Sequence, residues 1–242
     1  MCIIIAKKAG TAIPKKETLR TCWDNNPDGA GYMFNNNAGK INIKKGFTTF
    51  DSFYYELIND VKKHNLRCKN VVIHFRIATS GGITPAKTHP FPISNNPDFL
   101  NALDVEEDCG VAHNGVLSCY TYNKQLSDSQ NYIKDFLYYL KKINNNFLTD
   151  KNCKMLILNS IGSSKLAFLN KKGMFLFGDF EKDEDGVFYS NNTYKYKKYY
   201  YSNYWSPEEE EALVNYYNNY YNNFLNQQQP KKEEGSLNEF TQ

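Results

Sequence analysis

Four short stretches of the chain carry side chains able to act on an amide. MCIIIA opens it with a cysteine directly behind the initiator methionine. Removal of Met1 by methionine aminopeptidase, which a small second residue permits, leaves Cys2 with a thiol and a free α-amine on one carbon. Such an amine titrates at about 7.7–8.0. It can serve as general base for its own thiol, directly or through one water, and no partner histidine is needed. A thiolate attacking an amide also needs donors where the oxyanion forms and a grip on the substrate's far end. In HFRIATSGG, Arg76 can hold a carboxylate bidentately, with Thr79 nearby. In VAHNGVL, the Asn114 side-chain amide and the Gly115 backbone N–H form a natural oxyanion pair. In SDSQ, Asp128 can hold an ammonium group. A carboxylate clamp, an ammonium clamp and an amide-directed nucleophile together describe an α-amino acid with a side-chain amide, which is glutamine.

Each of these residues also has a plainer reading. Cys2 alone could be an inert strand cysteine, and Arg76 an ion-paired strand arginine, although so apolar a strand demands a partner or ligand for it. Asn-Gly is a generic turn dipeptide, and Asp128 could cap a helix. His74, His89 and His113 fit no zinc spacing and read as structural or supporting groups. His113 is counted with Arg76, Thr79 and Asp128 on the substrate-binding side. No metal and no cofactor is expected.

The elements that must position these groups follow from the pattern. Residues 2–6 read as a strand, DGAGYMF as a turn running into a strand, and NNNAGK as a hairpin loop. INIKKGF alternates as a half-buried strand. Residues 50–65 have helical spacing, and VVIHFRIAT reads as a central strand. GGITPAKTHPFPI has the Gly and Pro content of an ordered loop, and CGVAHNGVL is a strand ending in a turn. Residues 127–143 begin with Ser/Asp capping types and continue as a helix. KMLILNSI, SKLAFLN and GMFLFGDF, across residues 154–180, read as strands, with GVFYSNNTY as one more. Strands at both ends and helices between predict an α+β layered architecture. The domain is expected over residues 2–195. Residues 196–226 read as a tyrosine-rich linker with a C-terminal helix, and 227–242 as a disordered tail.

Composition narrows the function classes. A formal charge of +3 over 242 residues is too mild to argue for nucleic acid or a membrane surface. The KYKKYYYSNYW stretch interleaves cations with aromatics, as single-strand nucleic-acid platforms do, but in so tyrosine-rich a chain it reads as a packed or partner-binding linker. The apolar start lacks a basic n-region and is too short for a signal peptide. The six cysteines are scattered, with no C-x-x-C pair, and read as free thiols in a reducing compartment. A cytoplasmic location is therefore expected.

In these stretches, in order, the sequence resembles the glutaminase domain of the class II glutamine amidotransferases, which are N-terminal nucleophile (Ntn) hydrolases. The pieces are MCIIIA, DGAGYMF, GKINIKKGF, HFRIATSGG, THPFPI, VAHNGVL, SDSQ and GVFYSNNTY, over roughly residues 2–195. The resemblance implies a four-layer αββα sandwich of two mainly antiparallel sheets. It implies Cys2 as nucleophile with its α-amine as base, Asn114 and Gly115 in the oxyanion hole, Arg76 on the substrate α-carboxylate and Asp128 on its α-amine. It also implies a γ-glutamyl thioester, release of ammonia and hydrolysis to glutamate. Ile3 stands where many members have Gly, and Ser129-Gln130 where Thr-Glu is commoner. Because the domain stands alone in this chain, the expected ammonia acceptor is a separate synthase subunit. The alternatives are a stand-alone hydrolase of γ-glutamyl amides or peptides, and a non-catalytic regulatory module of the same fold.

Overall fold

The computed structural model describes residues 2–78 and 82–196. One sheet contains β1 (Ile3–Lys7), β2 (Ala30–Asn35), β3 (Ile41–Phe47), β4 (Val71–Phe75), β6 (Asp104–Glu107), β10 (Glu181–Lys182) and β11 (Phe188–Tyr189), in the order β10-β11-β1-β4-β2-β3-β6. The second contains β5 (Phe91–Pro92), β7 (Cys109–Asn114), β8 (Lys165–Asn170) and β9 (Gly173–Phe177), in the order β5-β7-β8-β9. Every pairing between neighbours is antiparallel. β1 and β4 are apolar on both faces because each lies inside its sheet, covered above and below.

The alternation along each strand sorts the side chains into three apolar layers. Ile3 and Ile5 of β1, Tyr32 and Phe34 of β2, and Ile73 and Phe75 of β4 face outward. They meet Leu19, Cys22 and Trp23 of α1 (Lys16–Asp24) and Phe50, Phe53 and Leu57 of α2 (Phe50–His64). The residues between them, Ile4, Ala6, Met33 and Val72, face inward onto Ala112, Ala167 and Leu169 of the second sheet. The far side of that sheet, with Val111, Leu166 and Phe168, is covered by α4 (Asp128–Tyr132), α5 (Tyr138–Ile143) and α6 (Lys151–Ile161). The result is the α+β architecture that the sequence pattern predicts, built as the sandwich of two antiparallel sheets that the family resemblance implies, with helices on both outer faces. Truncating one of the fully buried residues of the middle layer, such as Ile4, costs roughly 2–5 kcal/mol.

Local chemistry explains most of the elements. Thr49 Oγ1 accepts the Ser52 N–H and starts α2, Lys62, Lys63 and His64 sit at its C-terminal end, and Asn65 ends it in the left-handed region at φ 50°. Three expectations are corrected. KMLILNSI is helix α6, not a strand: Asp150 caps it by accepting the Cys153 N–H at 2.9 Å. Cys153, Ile157 and Ile161 recur every four residues on its buried side, while Met155, Leu156 and Leu158 lie exposed, so surplus apolar residues hide the helical period. The helix expected over 127–143 is interrupted by a π-helical segment, Ile133–Leu137, between α4 and α5. Ser127, not Asp128, is its N-cap, in a reciprocal capping box with Gln130.

The helix α1, the short α3 (Pro97–Asn101) and the strands β6 and β10 had no counterpart in the sequence reading. Thr79, the linker beyond Tyr196, the C-terminal helix and the tail lie outside the described residues. Among the described residues no helix is long and apolar enough to cross a membrane.

Candidate active site

The antiparallel pairing of β1 with β4 brings the start of one strand to the end of the other. Ile3 faces Phe75, so one step further along the register Cys2 comes beside Arg76. Cys2 Sγ lies 3.5 Å from the Ile77 carbonyl and accepts the Ile77 N–H at 3.4 Å. The turn before β2 secures this crossing. Asp28 N–H donates to the Arg76 carbonyl at 2.9 Å, and the Asp28 carboxylate accepts the Ala78 N–H at 2.7 Å. Gly31, in the same DGAGYMF stretch, lets the segment bearing His89 pass close by, since a Cβ there would stand 2.3 Å from the His89 carbonyl oxygen. Lys45 anchors that segment from between the sheets. Its Nζ donates to the carbonyls of Ala86 at 2.9 Å and Leu100 at 2.7 Å and lies 3.8 Å from the Phe91 ring centroid.

The second sheet delivers the other half. His74 Nε2 contacts the His113 carbonyl at 3.1 Å, joining β4 to β7 just before Arg76 and Asn114. β7 ends at Asn114. Gly115 follows with φ 143°, and a Cβ there would stand 2.2 Å from Ser164 Oγ, so this corner admits only glycine. The Asp128 carboxylate at the start of α4 accepts the N–H groups of Leu117 and Ser129, each at 2.8 Å. It is thereby held beside the chain that leaves the corner.

Two cavities meet at Cys2. The larger, about 410 Å³, is lined by Arg76, His113, Gly115 and Asp128 together with Cys2. The other, about 360 Å³, is lined by Cys2, Gly115, Asn114, Lys165 and Ser190. The structure therefore brings together every expected residue within its described part. Asn114 stands on the second cavity, Arg76, Asp128 and His113 on the first, and Cys2 and Gly115 on both.

Electrostatics follow from burial. Burial pushes the Cys2 thiol up from its ordinary value, against the opposing pull of the Ile77 N–H and the Arg76 charge. The resting thiol is thus protonated at neutral pH and needs a base. Burial also lowers His113 to about 4, opposed by Asp128, and lowers His74 to about 3. All three buried histidines are therefore neutral near pH 7, His89 being held well below its ordinary value by burial and its cationic neighbours. His113 Nδ1 shares a 2.8 Å hydrogen bond with Ser129 Oγ, so it braces the turn next to Asp128 and presents no charge to the cavity. Among the described residues no three His, Cys, Asp or Glu side chains converge to hold a metal.

The sequence reading overlooked the residues that fix the strand bearing Cys2. Ser190 Oγ accepts the Ile4 N–H at 2.8 Å and the Asn114 Nδ2–H at 2.9 Å, and the Ser190 N–H donates to the Ile4 carbonyl at 3.0 Å. Asn191 Nδ2 donates to the Cys2 carbonyl at 2.7 Å. GVFYSNNTY entered the reading only as a strand and a family piece. A polar Ser-Asn pair directly after a strand was the available signal.

The family model described as class-II glutamine amidotransferases matches residues 17–133. That span holds Arg76, Asn114, Gly115 and Asp128. No curated protein matches the chain. The matched residues run from α1 into the π-helical segment and carry the groups of both cavities other than Cys2, Ser163, Lys165 and Ser190; over that span the chain matches a class II glutamine amidotransferase domain, which supports the general role of a glutamine amidotransferase.

Proposed function

We propose that the protein hydrolyses the side-chain amide of glutamine with Cys2 as an N-terminal nucleophile. The observation that carries this is the position of Cys2, at the meeting point of a cavity bearing Arg76 and Asp128 and one bearing Asn114. Arg76 receives the α-carboxylate and Asp128 the α-ammonium, which sets the amide against the thiol. With Met1 removed, the α-amine takes the thiol proton. The thiolate adds to the amide carbon, and the oxyanion is held by Gly115 N–H and Asn114.

Asn114 reaches that role by a simple exchange. Its Nδ2 is occupied by Ser190 Oγ, while its Oδ1 is buried without a hydrogen-bond partner among the described residues. Ser190 Oγ already accepts the Ile4 N–H, so its own hydrogen seeks an acceptor. A half-turn of the amide lets Ser190 donate to Oδ1 and leaves Nδ2 to the oxyanion. Collapse of the intermediate breaks the C–N bond, and the α-ammonium returns its proton to the departing nitrogen. Water then adds to the γ-glutamyl thioester with the amine as base, and glutamate leaves. The ammonia goes to a separate synthase subunit. A reducing compartment such as the cytoplasm keeps Cys2, one of six free cysteines, in the thiol form.

The test is to incubate the purified protein with a glutamine-mimicking diazoketone and record intact and peptide masses. One adduct on Cys2, in protein lacking Met1 and absent from Cys2→Ala, is expected, together with release of glutamate and ammonia from glutamine. Retained Met1 with unlabelled Cys2 and no release overturns the reading.

A further inference from the structure

The second cavity supplies no grip on the amino-acid end of glutamine. Arg76 and Asp128, which between them match an α-amino acid, both line the first. At about 360 Å³, the second cavity lies within the range of small-molecule sites. It greatly exceeds the need of ammonia, which is close in size to a water molecule and its share of about 30 Å³. Its lining has a definite charge. Among its described lining residues Lys165 is the one ionised side chain, the remainder being Cys2, the Asn114 corner and small or apolar residues. Lys165 stands directly across from Asn114 in the β7–β8 register, which sets its ammonium beside the oxyanion site. One of its N–H groups goes to the Ser190 carbonyl, and it forms no ion pair with any described carboxylate.

We propose that the second cavity holds the amine half of a γ-glutamyl amide larger than glutamine, and that Lys165 selects amines bearing a carboxylate. This deepens the Cys2 reading, on which it rests, by naming the substrate class: γ-glutamyl amino acids or peptides. The γ-glutamyl half lies between Arg76 and Asp128, and its carbonyl reaches Cys2 where the cavities join. The rest of the molecule extends past Asn114, so that its carboxylate meets Lys165. The chemistry is unchanged. Sγ–C forms, C–N breaks, the amine leaves with the proton of the Cys2 α-ammonium, and water hydrolyses the thioester to glutamate.

Three substrates separate the possibilities: glutamine, γ-glutamylglycine and γ-glutamylethylamide. The last two are alike in length and differ in a carboxylate against a methyl group. In the processed wild-type protein, kcat/KM for γ-glutamylglycine is expected to exceed that for γ-glutamylethylamide by tenfold or more. Lys165→Gln should bring that ratio close to one, and Lys165→Arg should keep most of it. Using the ratio cancels any effect of the substitution on Asn114 or Cys2 that both substrates share. A wild-type ratio near one, or a ratio indifferent to Lys165→Gln, overturns the proposal. So does hydrolysis of glutamine with neither larger amide turned over, which leaves the role of Cys2 intact. No turnover of any of the three, with Cys2 unlabelled by the diazoketone, removes the catalytic reading and the substrate proposal with it.

Discussion

Replacing Ser190 with alanine removes one oxygen and strands two buried donors. The Ile4 N–H at 2.8 Å and the Asn114 Nδ2–H at 2.9 Å both end on that oxygen, and Ser190, Ile4 and Asn114 are all buried. A buried donor left without a partner costs about 1–3 kcal/mol, so the pair is worth roughly 2–6 kcal/mol by the same rule. Domain stabilities are on the order of 5–15 kcal/mol. Ser190→Ala should therefore lower the urea midpoint markedly at constant slope. Its effect on turnover has a separate signature. Arg76 and Asp128 lie on the other cavity and keep their hold on the substrate, so KM should change little. With Asn114 no longer steered, kcat should fall towards the roughly 10²–10³-fold loss that removing one oxyanion donor produces. Asn114→Ala should lower kcat in the same way, and the double variant should lose much less than the sum. Its stability coupling is expected at about 0.5–3 kcal/mol, as for residues that share a bond. A Ser190→Ala protein with wild-type midpoint and kcat refutes this reasoning. Strict additivity with Asn114→Ala refutes it as well.

Arg76→Lys keeps the charge and gives up the planar fork. With Arg76 only 6% exposed, the loss of one charge-assisted hydrogen bond is worth about 1.5–3 kcal/mol, a roughly ten- to hundredfold fall in kcat/KM for glutamine; an unchanged value would remove the carboxylate clamp from Arg76. The buried histidines set an acid limit on stability. Free histidine titrates near about 6.5, whereas His113 is lowered to about 4 and His74 to about 3. The unfolded chain thus takes up protons first. Their contribution is whole above about pH 6.5 and is lost as pH falls towards the folded values, at about 1.4 kcal/mol per pH unit for each histidine. Urea midpoints measured from pH 7 down to pH 5 should fall, and a level profile would show that these rings do not remain neutral in the fold.

The residues proposed to act on substrate, which the fold gathers around the two cavities, were legible because each is out of keeping with its surroundings. Arg76 follows an apolar strand, Cys2 stands at the lip of another, and Asn114-Gly115 breaks a third. Residue type alone raises the question there. The residues that hold them in place carry no such mark. Ser190 acts on Asn114 from 76 positions away and on Ile4 from 186, and Lys165 meets Asn114 only through the β7–β8 register. Strand alternation states which face a residue takes and leaves its cross-strand neighbour open, so no local pattern could join these partners. KMLILNSI failed for a related reason. Its exposed Met155, Leu156 and Leu158 fill in the helical stripe, and composition alone cannot separate that from a buried strand. Asp128 shows the opposite case. Its neighbour Ser127 takes the cap, which leaves the carboxylate to the Leu117 and Ser129 N–H groups at the cavity wall. The capping box thereby separates the residue that starts the helix from the one that lines the cavity. A Ser127 substitution should weaken the helix start, and an Asp128 substitution should weaken the grip on the α-ammonium.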